Sequence, residues 1–205
     1  MTEALACAEA GADWIGLNFH PASPRCVDEE TAAEIMAALP LSCSPVGLFV
    51  DRPPSLIAEL TGRLGMRIVQ LHGSEPPEDL LTLDHLTLLR AFRIADAAAI
   101  SSMCAYLDRS IALGRAPDHV LIDGYASGQH GGTGQAITDE LLERLPPLPR
   151  LVLAGGLTPE NVAERISRVR PWMVDVASGV ESSPGRKDPE KVAAFIKAAK
   201  GARRA

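Results

Sequence analysis

The strongest constraint on this chain is an alternation that runs almost from end to end, in which brief apolar runs are separated by helix-forming stretches. Residues 14–19, 46–50, 67–71, 88–92, 120–122, 151–153 and 172–176 read as strands. They are short and apolar throughout, as strands buried on both faces of a parallel sheet should be. Helical patterns fill the gaps. Behind the N-cap candidate Asp28, residues Ala32, Ile35, Met36 and Leu39 recur at i, i+3, i+4 and i+7, and Leu56, Ile57, Leu60 and Leu64 stripe the next helix. Further helices are expected over 77–83, 97–113 and 138–145, from Thr158-Pro159, and from Asp188-Pro189 with Val192, Phe195, Ile196 and Ala199 as its apolar stripe. Residues 1–10 form a helix ahead of the first strand, stopped by Gly11.

The chain is therefore α/β, with seven strands, eight helices and a helix first. A (β/α)8 TIM barrel needs a strand before that first helix, so a barrel reading leaves the first β-strand absent from this chain. An open doubly wound sheet is the alternative, although no Gly-rich turn follows an early strand, as a dinucleotide-binding version would require. At 205 residues the chain suits one domain but falls short of the roughly 250 typical of such barrels. The expected organisation is a single TIM-barrel domain over residues 1–200 and a frayed basic tail over 201–205.

Twenty basic against 26 acidic residues give a formal charge of −6, which offers no general attraction to nucleic acid or to an anionic membrane. Any anionic ligand must be held locally. Cys7, Cys26, Cys43 and Cys104 are isolated, the five histidines lack ligand spacing, and no run approaches the roughly 18 apolar residues of a membrane span. A reduced cytoplasmic location is expected, with no metal, nucleic-acid or membrane partner.

Barrel active sites gather at the C-terminal ends of the strands, and phosphate commonly binds the loops after the last two. Gly155-Gly156-Leu157 follows one late strand, and Ser178-Gly179-Val180-Glu181 follows the other. Either motif alone could be a tight turn. Together they favour backbone N–H groups converging on a phosphate. Asp123 ends a strand ahead of the Gly-rich run 128–134, where it could be a general acid, its pKa raised by partial burial, or a loop-capping carboxylate. His72 ends another strand and is either a ligand contact or a structural histidine. Arg25, in the loop after the first visible strand, could grip a carboxylate bidentately or lie solvated at the surface. Cys7 sits inside an Ala-rich helix and reads as packing rather than as a nucleophile.

Taken in order, the motifs resemble the phosphoribosylanthranilate isomerase family of tryptophan biosynthesis over nearly the whole chain. The matching blocks are Gly11-Ala12-Asp13 with Gly16, Phe19-x-Pro21-x-Ser23-x-Arg25, Val46-Gly47-x-Phe49-Val50 and Gln70-Leu71-His72-Gly73-x-Glu75. Asp123, Gly131-Gly132-x-Gly134 and Ala154-Gly155-Gly156-Leu157-x-Pro159-x-Asn161-Val162 continue the series. The most specific block is the last, from Val174-Asp175-Val176-x-Ser178-Gly179-Val180-Glu181 to Pro184-Gly185-x-Lys187-Asp188.

The resemblance implies an Amadori rearrangement of N-(5-phosphoribosyl)anthranilate to 1-(2-carboxyphenylamino)-1-deoxyribulose 5-phosphate, with no metal or organic cofactor. Asp123 would be the general acid, Arg25 the grip on the anthranilate carboxylate, and His72 a pocket residue. Asp175 would support the ribose, while Gly155, Gly156, Ser178 and Gly179 would form the phosphate cradle. The partner is then a small-molecule phosphosugar, and the protein a monomer or homodimer. A noncatalytic phosphate-ligand binder and another phosphosugar barrel, such as indole-glycerol-phosphate synthase, are the competing readings, the latter disfavoured by the Phe19–Arg25 and Gln70–Glu75 blocks.

The family's general base is a cysteine in a Lys-x-Cys-Gly segment ending the first strand, and no such segment occurs in these 205 residues. Missing strand and missing base coincide, so Met1 is expected to be an internal methionine of a longer protein. The 205-residue chain should show little isomerase turnover, and an in-frame upstream extension should restore it. Near-normal turnover by the short chain, or an in-frame stop directly upstream of Met1, would refute this.

Overall fold

A computed structural model of the chain describes residues 2–124, 137–148 and 150–202. It divides into two compact units, Met1–Ala91 with Cys104–Asp118, and Phe92–Met103 with His119–Ala205.

The first unit carries α1 (Thr2–Glu9), β1 (Trp14–Asn18), α2 (Glu29–Ala38), β2 (Ser44–Phe49), α3 (Pro54–Leu64), β3 (Ile68–Leu71) and α4 (Asp79–Thr82). It also holds most of β4 (Thr87–Ile94) and the later half of α5 (Ala97–Ala112). Strands β1 to β4 pair in sequence order, all in parallel, with Asn18 opposite Leu48, Leu48 opposite Gln70 and Gln70 opposite Leu89. Their carboxyl ends therefore share one end of the ladder. Leu17, Phe49, Ile57, Val69, Leu71, Leu80 and Leu88 fill the core. Fully burying a side chain of this kind stabilises by about 1.5–3 kcal/mol, which is why the apolar runs were legible as strands. Asp28 caps α2 by accepting from the Thr31 N–H at 2.8 Å, and hydrogen bonding to Thr31 holds its carboxyl below the usual range. Gly65, at φ 68°, ends α3 in the left-handed conformation that costs glycine nothing.

The second unit carries β5 (His119–Gly124), α6 (Asp139–Glu143), β6 (Leu151–Ala154), α7 (Val162–Val169), β7 (Met173–Val174) and α8 (Pro189–Ala202). Strands β5, β6 and β7 pair in parallel, with Asp123 opposite Ala154 and Leu153 opposite Val174. Leu121, Ile122, Leu153, Val162, Val192 and Phe195 are buried.

Several expectations need correction. The strand over 172–176 is shorter than expected: it pairs with β6 at Met173–Val174, one further N–H, that of Asp175, reaches the Leu153 carbonyl, and by Ala177, at φ −117° and ψ −81°, the backbone has left the extended conformation. The helix expected from Thr158-Pro159 begins at Val162, since the Asn161 side chain accepts from the Thr158 N–H at 2.8 Å and holds 158–161 as a turn. A short antiparallel hairpin, β8 (Glu181–Ser183) with β9 (Arg186–Lys187), follows a 3-10 turn over Ser178–Val180 and was not anticipated. Gly201 and Ala202, assigned to the frayed tail, continue α8. The Gly-rich run 128–134 lies outside the described residues. Among the described residues, no helix is long and apolar enough to cross a membrane, and no group of three or more His, Cys, Asp or Glu is placed to hold a metal ion.

Candidate active site

In the first unit, the loops that follow β1, β2 and β3 are built by side chains bonding to backbone. Ser23 Oγ accepts from Asn18 Nδ2 and from the Arg25 N–H, both at 3.1 Å, and Asn18 Oδ1 accepts from the His20 N–H at 2.8 Å. Arg25 is thereby carried half-buried in a closed loop, with Val27 N–H returning to the Asn18 carbonyl at 2.8 Å. Phe19 and Phe49 stack beneath this end of the ladder, centroids 5.1 Å apart. His72 extends the β3 pairing, its N–H donating to the Phe49 carbonyl at 2.9 Å, and its Nδ1 lies 2.8 Å from Gln70 Nε2.

A buried ion pair anchors the β2 and β3 loops. Glu75 and Arg90 side chains are only 2% and 6% exposed, with Arg90 Nη1 3.1 Å from Glu75 Oε2. The carboxylate also accepts from the Asp51 N–H at 2.9 Å and from the Gly73 N–H at 2.9 and 3.1 Å. The guanidinium donates to the carbonyls of Leu71, Ala91 and Gly73 at 2.9–3.0 Å and lies 5.1 Å above the Tyr106 ring. Burial pushes the Tyr106 hydroxyl pKa up, and the Arg90 charge opposes that rise. Gly73 is obligatory here, because a Cβ would sit 2.6 Å from the Asp51 backbone nitrogen.

In the second unit, Asp123 is half-buried at the end of β5, beside the turn that ends β6. Gly155 and Gly156 take φ of 81° and 62°. A Cβ on Gly155 would meet Asp123 Oδ1 at 2.6 Å and the Gly124 backbone, so the absence of a side chain lets the carboxylate and the turn approach. Asn161 clips the turn from both sides, donating from Nδ2 to the Gly156 carbonyl at 2.9 Å while accepting from Thr158. The 3-10 turn packs on the same loop, so that a Cβ on Gly179 would collide with the Leu157 carbonyl oxygen. Glu181, its side chain 5% exposed, pairs with Lys187 Nζ at 3.2 Å and accepts from the Gly185 N–H at 3.3 Å. Lys187 Nζ donates onward to the Ala177 carbonyl at 2.8 Å, immediately before Ser178. Asp175 is exposed just past β7, its N–H bonded to the Leu153 carbonyl at 2.9 Å.

The first unit thus holds Arg25 and His72, and the second brings Asp123 to Gly155 and Gly179 to the Leu157–Thr158 backbone. Backbone N–H groups beside flexible-φ glycines, with a carboxylate adjacent, suit an anion next to an acid–base group. The sequence motifs include Gln70, Glu75, Asn161 and Lys187 without giving them a role, and Arg90 is concealed inside an apolar run. A charge amid Leu88-Leu89 and Ala91-Phe92 was the signal for a buried pair.

Replacing Arg90 by Met or Glu75 by Gln should destabilise by about 3–5 kcal/mol, because the remaining partner is left buried and uncompensated. Urea unfolding measures this, and the double variant should cost less than the sum of the two. Gly179→Ala should cost about 1–3 kcal/mol, as an overpacked contact that only a loop shift can relieve. An unchanged unfolding midpoint would contradict the packing.

Residues 1–198 match the family model for N-(5'phosphoribosyl)anthranilate (PRA) isomerase. The N-(5'-phosphoribosyl)anthranilate isomerase of Geobacter sulfurreducens is 42% identical over 201 residues, which span 98% of this chain and 94% of that protein. The crystal structure of phosphoribosyl anthranilate isomerase from Thermotoga maritima is 33% identical and superposes with a TM-score of 0.82, covering 98% of this chain and 94% of its own. A structure of phosphoribosyl anthranilate isomerase in complex with reduced 1-(o-carboxyphenylamino)-1-deoxyribulose 5-phosphate is likewise 33% identical, with a TM-score of 0.79 and coverage of 98% and 93%. The fold class expected from the sequence, α/β of the (β/α)8 barrel type, agrees with these structures. On sequence and fold alike, the chain belongs to the N-(5'-phosphoribosyl)anthranilate isomerase family.

Proposed function

We propose that this chain is an isomerase acting on N-(5-phosphoribosyl)anthranilate in tryptophan biosynthesis, and that Asp123 is its general acid. The observation that carries the assignment of roles is the approach of Asp123 Oδ1 to the Gly155 turn, within 2.6 Å of where a Cβ would be. An acid beside a backbone anion cradle matches a substrate whose labile ring oxygen and phosphate belong to one small sugar.

In this reading Asp123 gives a proton to the furanose oxygen as the C1–O bond breaks, and the anthranilate nitrogen lone pair forms the C1=N bond of a Schiff base. Loss of the C2 proton to a base then yields an enaminol, which becomes the 2-keto product when C1 gains a proton and the C2 hydroxyl gives one up. Gly155, Gly156, Ser178 and Gly179 hold the phosphate through backbone N–H groups, and the Lys187–Glu181 pair fixes the second of these loops. Arg25 grips the anthranilate carboxylate, His72 binds the substrate, and Asp175 supports the ribose. No cofactor enters the reaction. The enzyme works in the cytoplasm as a monomer or homodimer.

Asp123→Asn should lower isomerase turnover about 100- to 10,000-fold, the usual contribution of a positioned acid. Chromatographic separation of the two isomers measures the turnover. Binding of the reduced product analogue should survive the substitution, and unchanged turnover would remove Asp123 from the acid role.

A further inference from the structure

Residues two apart on a strand face the same side of the sheet, and Gln70 and His72 use that spacing to meet. Gln70 is 7% exposed, and its Nε2 lies 2.8 Å from His72 Nδ1. An amide nitrogen carries protons and no available lone pair, so in this contact it donates and Nδ1 accepts. The proton of the neutral ring is then on Nε2. The ring is fixed from its backbone as well, since the His72 N–H is tied to the Phe49 carbonyl.

We propose that Gln70 is a positioning residue that holds His72 as the Nε2–H tautomer, so that His72 meets its ligand as a hydrogen-bond donor to an oxygen acceptor and not as a base. The ligand half of this proposal rests on the reading of His72 as a substrate-binding residue. The one lone pair that the neutral imidazole could offer a C–H proton is already taken by Gln70, so His72 does not perform the C2 proton abstraction. It selects instead for a carboxylate, phosphate or hydroxyl oxygen.

Long-range proton–nitrogen correlation spectra of the 15N-labelled chain read the tautomer directly. The wild-type ring should show a pyridine-like Nδ1 and a pyrrole-like Nε2. Gln70→Glu puts a carboxylate acceptor against Nδ1 and should reverse that pattern, while Gln70→Leu should leave a mixture. Titration with reduced 1-(o-carboxyphenylamino)-1-deoxyribulose 5-phosphate should find binding weakened about tenfold in Gln70→Glu, the loss of one hydrogen bond. The same substitution should add nothing in a His72→Leu background.

A pyrrole-like Nδ1 in the wild type would overturn the proposal, and this readout needs no variant to fold. A reversed tautomer with unchanged analogue binding would overturn the donor role. Wild-type protein that shows the expected ring but binds no analogue would overturn the isomerase reading, and with it the ligand half, while still supporting the role of Gln70 in setting the tautomer.

Discussion

A carboxylate removed from water has to be met by donors on all sides, and in each unit of this protein one glutamate imposes that demand on the loops around it. Glu75 is answered by the N–H groups of Asp51 and Gly73 and by Arg90, whose guanidinium reaches three carbonyls. Glu181 is answered by the Gly185 N–H and by Lys187, whose ammonium reaches the Ala177 carbonyl. The two arrangements share a logic. A buried anion orders backbone donors, and its cationic partner orders backbone acceptors, so irregular segments that lack sheet or helix bonding acquire a fixed course. In the first unit the segment so fixed follows His72, and in the second it precedes Ser178.

The ladders supply the frame to which these segments are attached. Because β1 to β4 are parallel and in register, Asn18, Phe49, Leu71 and Arg90 come to one end of the first unit without any long loop. Brief strands suffice in β2 to β4 because adjacent residues, which face opposite sides of the sheet, are buried together. The carboxyl-terminal turns can then be specialised for polar work at little expense to the core.

What the sequence made legible follows from the same division. Parallel strands of the kind at Val69, Leu121 and Val152 betray themselves through uninterrupted apolar runs, and the stripe Ala32, Ile35, Met36 and Leu39 betrays a helix. The hairpin of Glu181–Ser183 with Arg186–Lys187 does not, because it is polar, short and held by an ion pair rather than by alternating burial. The late start of α7 was hidden for a related reason. Thr158-Pro159 is a sound helix opening by composition, yet the Asn161 amide spends both of its functions on the preceding turn. Glycines and strand ends mark the candidate site positions in the sequence, whereas nothing there marks which residue pairs with Arg90, since the partner that makes its burial tolerable lies on the loop after another strand. Proximity of Gln70 to His72 follows from strand spacing alone, but which ring nitrogen the amide meets is a fact of geometry.

The turns at Gly155 and Gly179 work by leaving out atoms: the space a methyl group would need is occupied by Asp123 and the Gly124 backbone at one, and by the Leu157 carbonyl at the other. Such positions invert the usual relation between mutation and loss. A site made of side chains can be pared back residue by residue and retain partial contacts, but here every available substitution inserts matter into an occupied space. A substitution at either position therefore has to move backbone, whereas the surrounding side chains can trade size and charge without touching the backbone they support.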